Sequence, residues 1–305
     1  KKDMQFDVII GNPPYQMSDG GNGASAKPIY NLSVEQSLKL KPKYLVMITP
    51  SRWFAGGKGL DDYRNKMLSD KHIKVLVDYA NAKDCFPNNS IGGGVSYFLW
   101  DASWNGKCNV ININGESRNE TTRLLNEYPV FIRFNDAINI VNKVKSFREE
   151  SMERIISTRN PFGLSSKERG HSDKQKNDTT LITSQGVFYI EKKDVLQGKN
   201  LIDKYKVLIS KVTAEHAGEP DKEGTYKVLS RTEVIEPNVV CTDSYIIIGG
   251  FNNRKEAVNL YSYLTTRFVR FMLLMAVSSI NLSKEKFQFV PLQDFSHPWT
   301  DEMLY

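Results

Sequence analysis

Apolar and polar positions alternate in the first third of the chain in the way expected of a sheet whose strands are joined by helices. The apolar run at residues 6–11 stops at a glycine soon followed by two prolines, which predicts a buried strand with an abrupt end. Further strands are predicted at residues 44–49, 73–78, 95–100 and 107–113. Helices are predicted at residues 60–70 and at residues 28–40, with Ile29, Leu32, Val34 and Leu38 on or near one face. This order predicts an α/β fold.

The rest of the chain has a different pattern. Residues 114–160 predict a connector that contains one helix within residues 126–148, and the polar stretch at 165–180 predicts a loop or a mobile segment. Short β-like runs follow at residues 186–190, 205–209, 226–229, 239–242 and 244–248. A long apolar helix is predicted at residues 255–278 and a closing strand at 280–291.

Composition narrows the class of protein. The 305 residues are enough for two domains, and 40% hydrophobic with 25% charged residues is ordinary for a soluble globular protein. No apolar run approaches the length of a membrane span. The three cysteines and four histidines are scattered, so neither a disulfide framework nor a metal site is expected, and the chain fits a reducing cytoplasm. The net charge of +6 is compatible with a polyanionic partner.

The most informative residues follow the first predicted strand: Asn12-Pro13-Pro14-Tyr15. Open α/β sheets bind ligands at the carboxyl ends of their strands. The Asn12 side chain and the Pro13 backbone offer two carbonyl oxygens for the hydrogens of an aromatic exocyclic amine. Tyr15 offers a face for stacking, worth roughly 1–3 kcal/mol per base. We interpret the motif as a pocket for a planar amine, and the alternative is a proline turn without chemistry.

The motif and its neighbours resemble the second half of a gamma-class N6-adenine DNA methyltransferase from restriction–modification systems. The resemblance covers roughly residues 4–113 and rests on several pieces in the same order. They are Asn12-Pro13-Pro14-Tyr15, Ala26-Lys27-Pro28-Ile29-Tyr30-Asn31, Pro50-Ser51-Arg52-Trp53-Phe54, Phe86-Pro87, and Gly92-Gly93-Gly94-Val95-Ser96-Tyr97-Phe98.

The resemblance implies half of a Rossmann-like methyltransferase sheet, S-adenosylmethionine as cofactor, and double-stranded DNA as substrate, with the target adenine flipped out. The implied catalytic residues are Asn12, Pro13, Pro14 and Tyr15. Phe86 is the implied aromatic on the opposite face of the base, and its alternative role is a loop anchor. No metal is implied, and the expected location is the cytoplasm of a bacterium or archaeon.

The C-terminal part is similar, more loosely, to the target-recognition domains of restriction–modification proteins. The expected organisation is therefore a catalytic half-domain at residues 1–115, a helical connector at 116–160 and an α+β DNA-recognition domain at 161–305. The resemblance rests on the order of elements, so it transfers no DNA-reading residue to this sequence.

A complete enzyme of this family carries its cofactor half before the motif, and eleven residues precede the motif here. Gly249-Gly250-Phe251 does not match the cofactor turn of the family. We therefore expect a fragment that lacks most of the cofactor site, is inactive alone, and has a missing N-terminal half or a restriction subunit as a possible partner. Its cofactor-binding residues are unknown and expected upstream.

Several alternatives stay open at this stage. The chain could be a DNA-recognition module without activity, or an amino-methyltransferase for RNA or protein glutamine. Glu191-Lys192-Lys193 with Asp178 loosely resembles the carboxylate–lysine constellation of metal-dependent nucleases. Arg52 could meet a phosphate, although a structural role beside a core Trp53 is favoured. The glycine-rich residues 18–25 could be a lid or a solvated connection.

Overall fold

The computed structural model describes residues 6–17, 27–55, 59–89, 91–213, 228–277 and 281–304. The glycine-rich segment at 18–25 lies outside these residues. The described residues up to Ile140 form one compact unit (unit 1), and those from Val141 onward form a second (unit 2). None of the described helices combines the length and the apolar composition that crossing a membrane requires.

Unit 1 is built on one mixed six-stranded sheet with the strand order β1-β2-β4-β3-β5-β6. Its elements in chain order are β1 (Val8–Gly11), α1 (Tyr30–Lys39), β2 (Tyr44–Pro50), α2 (Asp61–Ser69), β3 (Ile73–Tyr79), β4 (Val95–Asp101), β5 (Cys108–Asn114) and β6 (Ser117–Arg123). Strands β1 and β2 are parallel, and the antiparallel β4 lies between β2 and β3. Strands β1, β2 and β3 therefore end at one edge of the sheet, where β4 begins.

The expectation that the first strand is buried is wrong. Val8 is 49% exposed and Ile10 is 75% exposed, because β1 is the outermost strand of the sheet and, among the described strands, pairs with β2 alone. The predicted apolar face of α1 also needs correction, since Tyr30 and Val34 are buried while Leu32 points to solvent. The core of unit 1 lies instead around Trp53, in a cluster with side chains from β2, β3, β4 and α2.

The segment predicted as a helical connector begins with a strand. Strand β6 pairs antiparallel with β5. It escaped the sequence pattern because its composition, Ser-Arg-Asn-Glu-Thr-Thr-Arg, is polar throughout, as an edge strand with largely solvated side chains allows. The helix predicted within residues 126–148 is confirmed as α3 (Ala137–Ser146).

The described residues of unit 2 include two three-stranded sheets, one short helix and two longer helices that follow each other directly in the chain. Its elements are β7 (Asp178–Thr183), β8 (Gly186–Glu191), α4 (Lys199–Ile202), β9 (Tyr205–Ser210), β10 (Thr232–Ile235), β11 (Val239–Cys241), β12 (Tyr245–Phe251), α5 (Arg254–Thr265) and α6 (Arg267–Leu274). One sheet has the order β10-β9-β12 and the other the order β11-β7-β8. The two units together give the mixed α/β class that the sequence predicted.

Helix prediction in unit 2 failed at Thr266. A single helix was expected over residues 255–278, yet Thr266 is extended (φ −64°, ψ 154°) and separates α5 from α6. Its hydroxyl accepts a hydrogen bond from the backbone N–H of Val269 at 3.2 Å. Threonine is a favourable N-cap because its oxygen satisfies one of the unpaired donors in a helix's first turn. The cap therefore starts a second helix inside a continuous apolar pattern.

Strand boundaries in unit 2 also differ from the expectation. The polar stretch becomes strand β7 at Asp178, before its expected end at residue 180. Residues 228–230 are not a strand, and β10 lies further along; the first two residues of the expected strand at 226–229 lie outside the described residues. Residues 284–287 form a helical turn where a closing strand was expected.

Candidate active site

The candidate site lies where β1, β2 and β3 end. Asn12-Pro13-Pro14-Tyr15 leaves β1, and Pro50 closes β2. Phe86 follows β3 after a short helical turn, Ala82–Asp84, whose N-cap Asn81 accepts a hydrogen bond from the Lys83 N–H. Because the strands end at one edge, segments far apart in sequence meet there.

A cavity of about 580 Å³ occupies this edge of the sheet. All five residues singled out from the sequence, Asn12, Pro13, Pro14, Tyr15 and Phe86, line it. The remaining lining residues were not predicted as site residues; they are Gln16, Pro28, Tyr30, Pro50, Arg52, Asn89, Ile91 and Gly92. The lining is mainly aromatic, proline and amide, which suits a flat, uncharged ring with polar edges.

Backbone hydrogen bonds hold the motif against the segment before α1. The Tyr15 carbonyl accepts from the Ile29 N–H at 3.3 Å, and the Met17 N–H donates to the Lys27 carbonyl at 3.1 Å. Asn12 and Pro14 are exposed, whereas Pro13, Tyr15 and Phe86 are half-buried. The Asn12 side chain is therefore accessible to a ligand in the cavity, while the Tyr15 backbone is fixed by its hydrogen bond with Ile29.

The hydroxyl of Tyr15 faces inward. Its oxygen is buried and has no hydrogen-bond partner among the described residues. Burial raises the pKa of Tyr15, and the nearby Cys85 thiol raises it further. Burial also raises the pKa of Cys85. Both groups are therefore neutral near pH 7, so Tyr15 presents an uncharged ring to the cavity.

A network of hydrogen bonds around a buried ion pair connects the strand ends that border the cavity. The Arg133 guanidinium donates to both oxygens of Asp78, at 2.5 and 2.8 Å, and to the Tyr79 carbonyl at 3.1 Å. Asp78 is 1% exposed and also accepts from the Ser51 hydroxyl at 2.8 Å. Ser51 lies between Pro50 and Arg52, which both line the cavity. The network therefore ties the end of β3 to the turn after β2.

Gly94 packs closely against Arg133 and Tyr79 of this network. It has a φ of +78°, and a Cβ there would lie 2.3 Å from both a guanidinium nitrogen of Arg133 and the Tyr79 carbonyl. Its carbonyl accepts from the Ser51 N–H at 3.0 Å. Gly92 lies on the cavity wall and has open space at its Cβ position. Glycine is therefore required at position 94 by sterics, because any side chain would displace Arg133 or the backbone.

Arg52 and Trp53 have different environments although they are adjacent. Trp53 is fully buried and packs edge-on against Phe54 and Tyr63, as its predicted structural role requires. Arg52 is half-buried and lines the cavity. Arg52 is thus the one cation among the described lining residues.

The described lining does not fit the S-adenosylmethionine cofactor that the resemblance implies. Binding the ribose of a nucleoside requires an acceptor such as a carboxylate for its hydroxyls. The described residues that line the cavity include amides, aromatics and an arginine, without a carboxylate. We assign these residues to the base alone and derive no step through the cofactor.

The nuclease constellation considered from the sequence has other contacts. The Asp178 carboxylate accepts from the Gln175 N–H and lies 2.6 Å from Nε2 of His171, and Glu191 pairs with Lys193 at 2.8 Å. Glu191 and His171 also line a second cavity of about 500 Å³ in unit 2. The described residues contain no group of three or more histidine, cysteine, aspartate or glutamate side chains arranged to hold a metal ion.

Comparisons with known proteins agree with the motif. Residues 1–86 match the family described as Eco57I restriction-modification methylase. An "uncharacterized adenine-specific methylase" of Mycoplasma pneumoniae is 32% identical over 178 residues, which is 57% of this chain and 41% of that protein. The chain thus spans about two fifths of the length of this curated relative.

Solved structures of restriction–modification proteins are also similar at low identity. The type IIG restriction endonuclease BpuSI gives a TM-score of 0.40 at 12% identity, over 92% of this chain and 46% of BpuSI. The type IIL restriction-modification enzyme MmeI, solved in complex with DNA, gives 0.44 at 9% identity, over 84% and 42%. The family match and the curated relative confirm the predicted resemblance of this chain to the N6-adenine methyltransferases of restriction–modification systems.

Proposed function

We propose that this chain holds the target adenine for N6 methylation of double-stranded DNA, within a restriction–modification methyltransferase. The observation that carries the proposal is the convergence of Asn12, Pro13, Pro14, Tyr15 and Phe86 on one cavity from two separate segments. S-adenosylmethionine, which the family implies, would supply an electrophilic methyl group. We further propose residues 1–115 as half of a Rossmann-like catalytic domain and residues 161–305 as the DNA-recognition domain, joined by residues 116–160.

Orientation of the amine is the task we assign to Asn12 and Pro13. The N6 lone pair of adenine is delocalised into the ring and is a weak nucleophile in that state. Two acceptors on the two N6 hydrogens, the Asn12 Oδ1 and the Pro13 carbonyl, would pull the amine out of conjugation and aim its lone pair. This role requires orientation of the amine and no removal of its proton beforehand, so a general base with a shifted pKa is unnecessary.

Stacking is the task we assign to Tyr15 and Phe86. A base flipped out of the duplex loses its stacking neighbours, and aromatic side chains replace part of that free energy. Tyr15 is suited to this because its hydroxyl is buried and its ring stays neutral. Phe86 enters the cavity from the loop after β3, so the two rings come from different strand ends.

The test is methyl transfer from S-adenosylmethionine by the protein that contains this sequence, with Asn12→Ala as the variant. We expect the rate constant for DNA methylation to fall about 100-fold or more, since one oriented polar contact in a transition state contributes on the order of 10²–10³ in rate. Asn105→Ala is the matched control, because Asn105 is exposed in the turn between β4 and β5, at the opposite edge of the sheet.

Labelled methyl groups should be recovered as N6-methyladenine in duplex DNA. A wild-type rate for Asn12→Ala would contradict the role of Asn12. Label recovered in RNA or on protein glutamine, with none in DNA, would contradict the substrate class.

A further inference from the structure

We propose that residues 165–177 of unit 2, which we name the basic loop, bind the phosphate backbone of DNA. This proposal rests on the proposed function, because DNA is the substrate named there. The loop lies within the polar stretch at residues 165–180, to which the sequence pattern assigns no function. Its charges, its hydrogen bonds and the environment of its lysines now point to an anionic polymer as its partner.

The basic loop carries four cations in ten residues: Lys167, Arg169, Lys174 and Lys176. Its three lysines are exposed. None of these lysines has an ion-pair partner among the described residues. Lys174 is close enough to the Asp178 carboxylate to help lower its pKa, but its exposed side chain, like those of Lys167 and Lys176, is accessible to a ligand.

Several other cations of unit 2 form ion pairs. Arg231, Arg254 and Arg267 pair with Glu233, Glu236 and Asp301. Lys192 pairs with Asp203, Lys193 with Glu191 and Lys211 with Asp243. Lys143, Lys199 and Lys255 are exposed as well, but they lie on three separate helices, so the basic loop is distinguished by having three exposed lysines within ten residues.

The two carboxylates of the loop are held by the loop itself. Oε1 of Glu168 accepts from the backbone N–H groups of Arg169 and Gly170, at 3.0 and 3.1 Å. Asp173 accepts from the Ser172 hydroxyl at 3.2 Å. Nη1 of Arg169 donates to the carbonyls of Ser166 and Glu168, both at 2.9 Å. The loop therefore carries four cations against two carboxylates, a net charge of +2.

The middle of the basic loop is anchored to the sheet. His171 exchanges two backbone hydrogen bonds of 2.9 Å with Tyr189, and its Nε2 lies 2.6 Å from Oδ2 of the buried Asp178. The same oxygen accepts from the Gln175 N–H at 2.6 Å. Gly170 has a φ of +57°, and a Cβ there would lie 2.1 Å from the Tyr189 carbonyl. The loop is therefore held in a defined shape, which reduces the ordering cost of binding.

Phosphate is the ligand chemistry that fits these groups. Lysine binds phosphate as a point charge, and such contacts position a protein on DNA without reading its sequence. Each phosphate that is neutralised releases condensed counterions, so the affinity falls with salt by a slope of about 0.9 per contact. Each contacting lysine should therefore contribute a measurable part of the salt dependence.

The experiment measures the affinity of the 305-residue chain for a fluorescein-labelled 30-base-pair duplex of mixed sequence, across a series of salt concentrations. The test variant is Lys167→Ala/Lys174→Ala/Lys176→Ala. The matched control is Lys143→Ala/Lys199→Ala/Lys255→Ala, which removes the same charge from exposed lysines elsewhere in unit 2. We expect the test variant to lower the slope of log K against log salt by about 2–3, and the control by less than about 1. Circular dichroism verifies that both variants are folded.

An unchanged slope in the test variant, or an equal decrease in the control, would overturn the assignment of the loop. Asn105→Ala is included as a second control, because Asn105 is exposed and uncharged in the turn between β4 and β5, away from the cavity, so its slope should equal that of the wild type. If the wild-type chain fails to bind the duplex at 20 mM salt, the basic-loop proposal and the DNA partner of the proposed function fail together. If it binds and only the loop variant behaves as wild type, the loop proposal fails alone.

Discussion

The cavity of unit 1 and the basic loop of unit 2 differ in the chemical character of the surface that they expose. The cavity is lined mainly by amides, prolines and aromatic rings, with Arg52 as the cation of its described lining. The basic loop presents unpaired lysines and almost no apolar side chains. A ring is held by shape and by a few aimed carbonyl groups, whereas a phosphate chain is held by charge.

The two surfaces are nevertheless supported in the same manner. A buried aspartate lies behind each of them: Asp78 behind the cavity edge and Asp178 behind the loop. Asp78 holds Arg133 and Ser51, and Asp178 holds His171 and the Gln175 N–H. A buried carboxylate with several donors can fix the shape of irregular backbone. Substituting either buried aspartate tests whether it fixes the shape of its surface. Substituting Phe86 tests whether the cavity binds a base by stacking.

The largest effect is expected from Asp78→Ala. Removing one partner of a buried ion pair leaves the other charge without compensation and costs about 3–5 kcal/mol. We expect the free energy of unfolding of unit 1 to fall by that amount, measured by hydrogen exchange of the amides in β2 and β3.

Asp62→Ala is the control for Asp78→Ala, because Asp62 is exposed on α2 and such changes stay within about 0.5 kcal/mol. A loss below about 1 kcal/mol in Asp78→Ala would mean that the Asp78–Arg133 pair does not hold the cavity edge.

An intermediate effect is expected from Phe86→Ala. Loss of one stacking ring should weaken binding of a single-stranded thymidine oligonucleotide with one 2-aminopurine by about 1–3 kcal/mol, which is roughly 5- to 150-fold. Fluorescence quenching of the 2-aminopurine reports the stacking directly.

Phe86→Tyr should restore the quenching because it keeps an aromatic face. Phe147→Ala removes a ring that is 66% exposed at the end of α3 and should leave the affinity unchanged. Equal quenching by the Phe86→Ala variant and the wild type would assign Phe86 to loop packing alone.

The smallest effect is expected from Asp178→Asn, and it depends on pH. Burial raises the pKa of Asp178, but the His171 contact and the Gln175 N–H outweigh it, so the pKa lies below its ordinary value. A carboxyl whose pKa is lowered on folding stabilises the protein above its unfolded value of about 3.9, and this stabilisation is lost as the pH falls through the folded value. At pH 7 the variant should therefore be less stable than the wild type, because the His171 ring and the Gln175 N–H lose their charged acceptor.

Denaturant titrations between pH 2 and 7 test this, with Asp173→Asn as an exposed control. The difference in unfolding free energy between wild type and Asp178→Asn should shrink below pH 4. A difference that stays constant over this range would show that the Asp178 carboxylate is not linked to the stability of unit 2.

The sequence predicted the meeting of the motif with Phe86 because both follow strand ends, and parallel strands place their ends at one edge. It could not predict the Asp78–Arg133 pair, since the partners are 55 residues apart and Arg133 lies in an irregular segment. Thr266 shows the same limit on a local scale. Its hydroxyl ends one helix and caps the next, while the apolar pattern runs on unchanged.

The exposure of β1 was missed for a related reason. The sequence predicts a buried strand at Val8, Ile9 and Ile10 because short apolar runs usually form strands in the interior of a sheet. The position of a strand within the sheet decides its actual burial, and β1 is outermost. The basic loop was found as a polar stretch, but the pairing state of its lysines appears only when the surrounding carboxylates are located in three dimensions.

The glycines before β4 define how the cavity can be redesigned. Position 94 is closed to variation by the contacts of its Cβ position with Arg133 and Tyr79. Position 92, two residues earlier, borders the same cavity with free space around it. A combinatorial library aimed at altered base selectivity should keep Gly94 constant and diversify Gly92, which places new side chains at the cavity wall without disturbing the charged network beneath it.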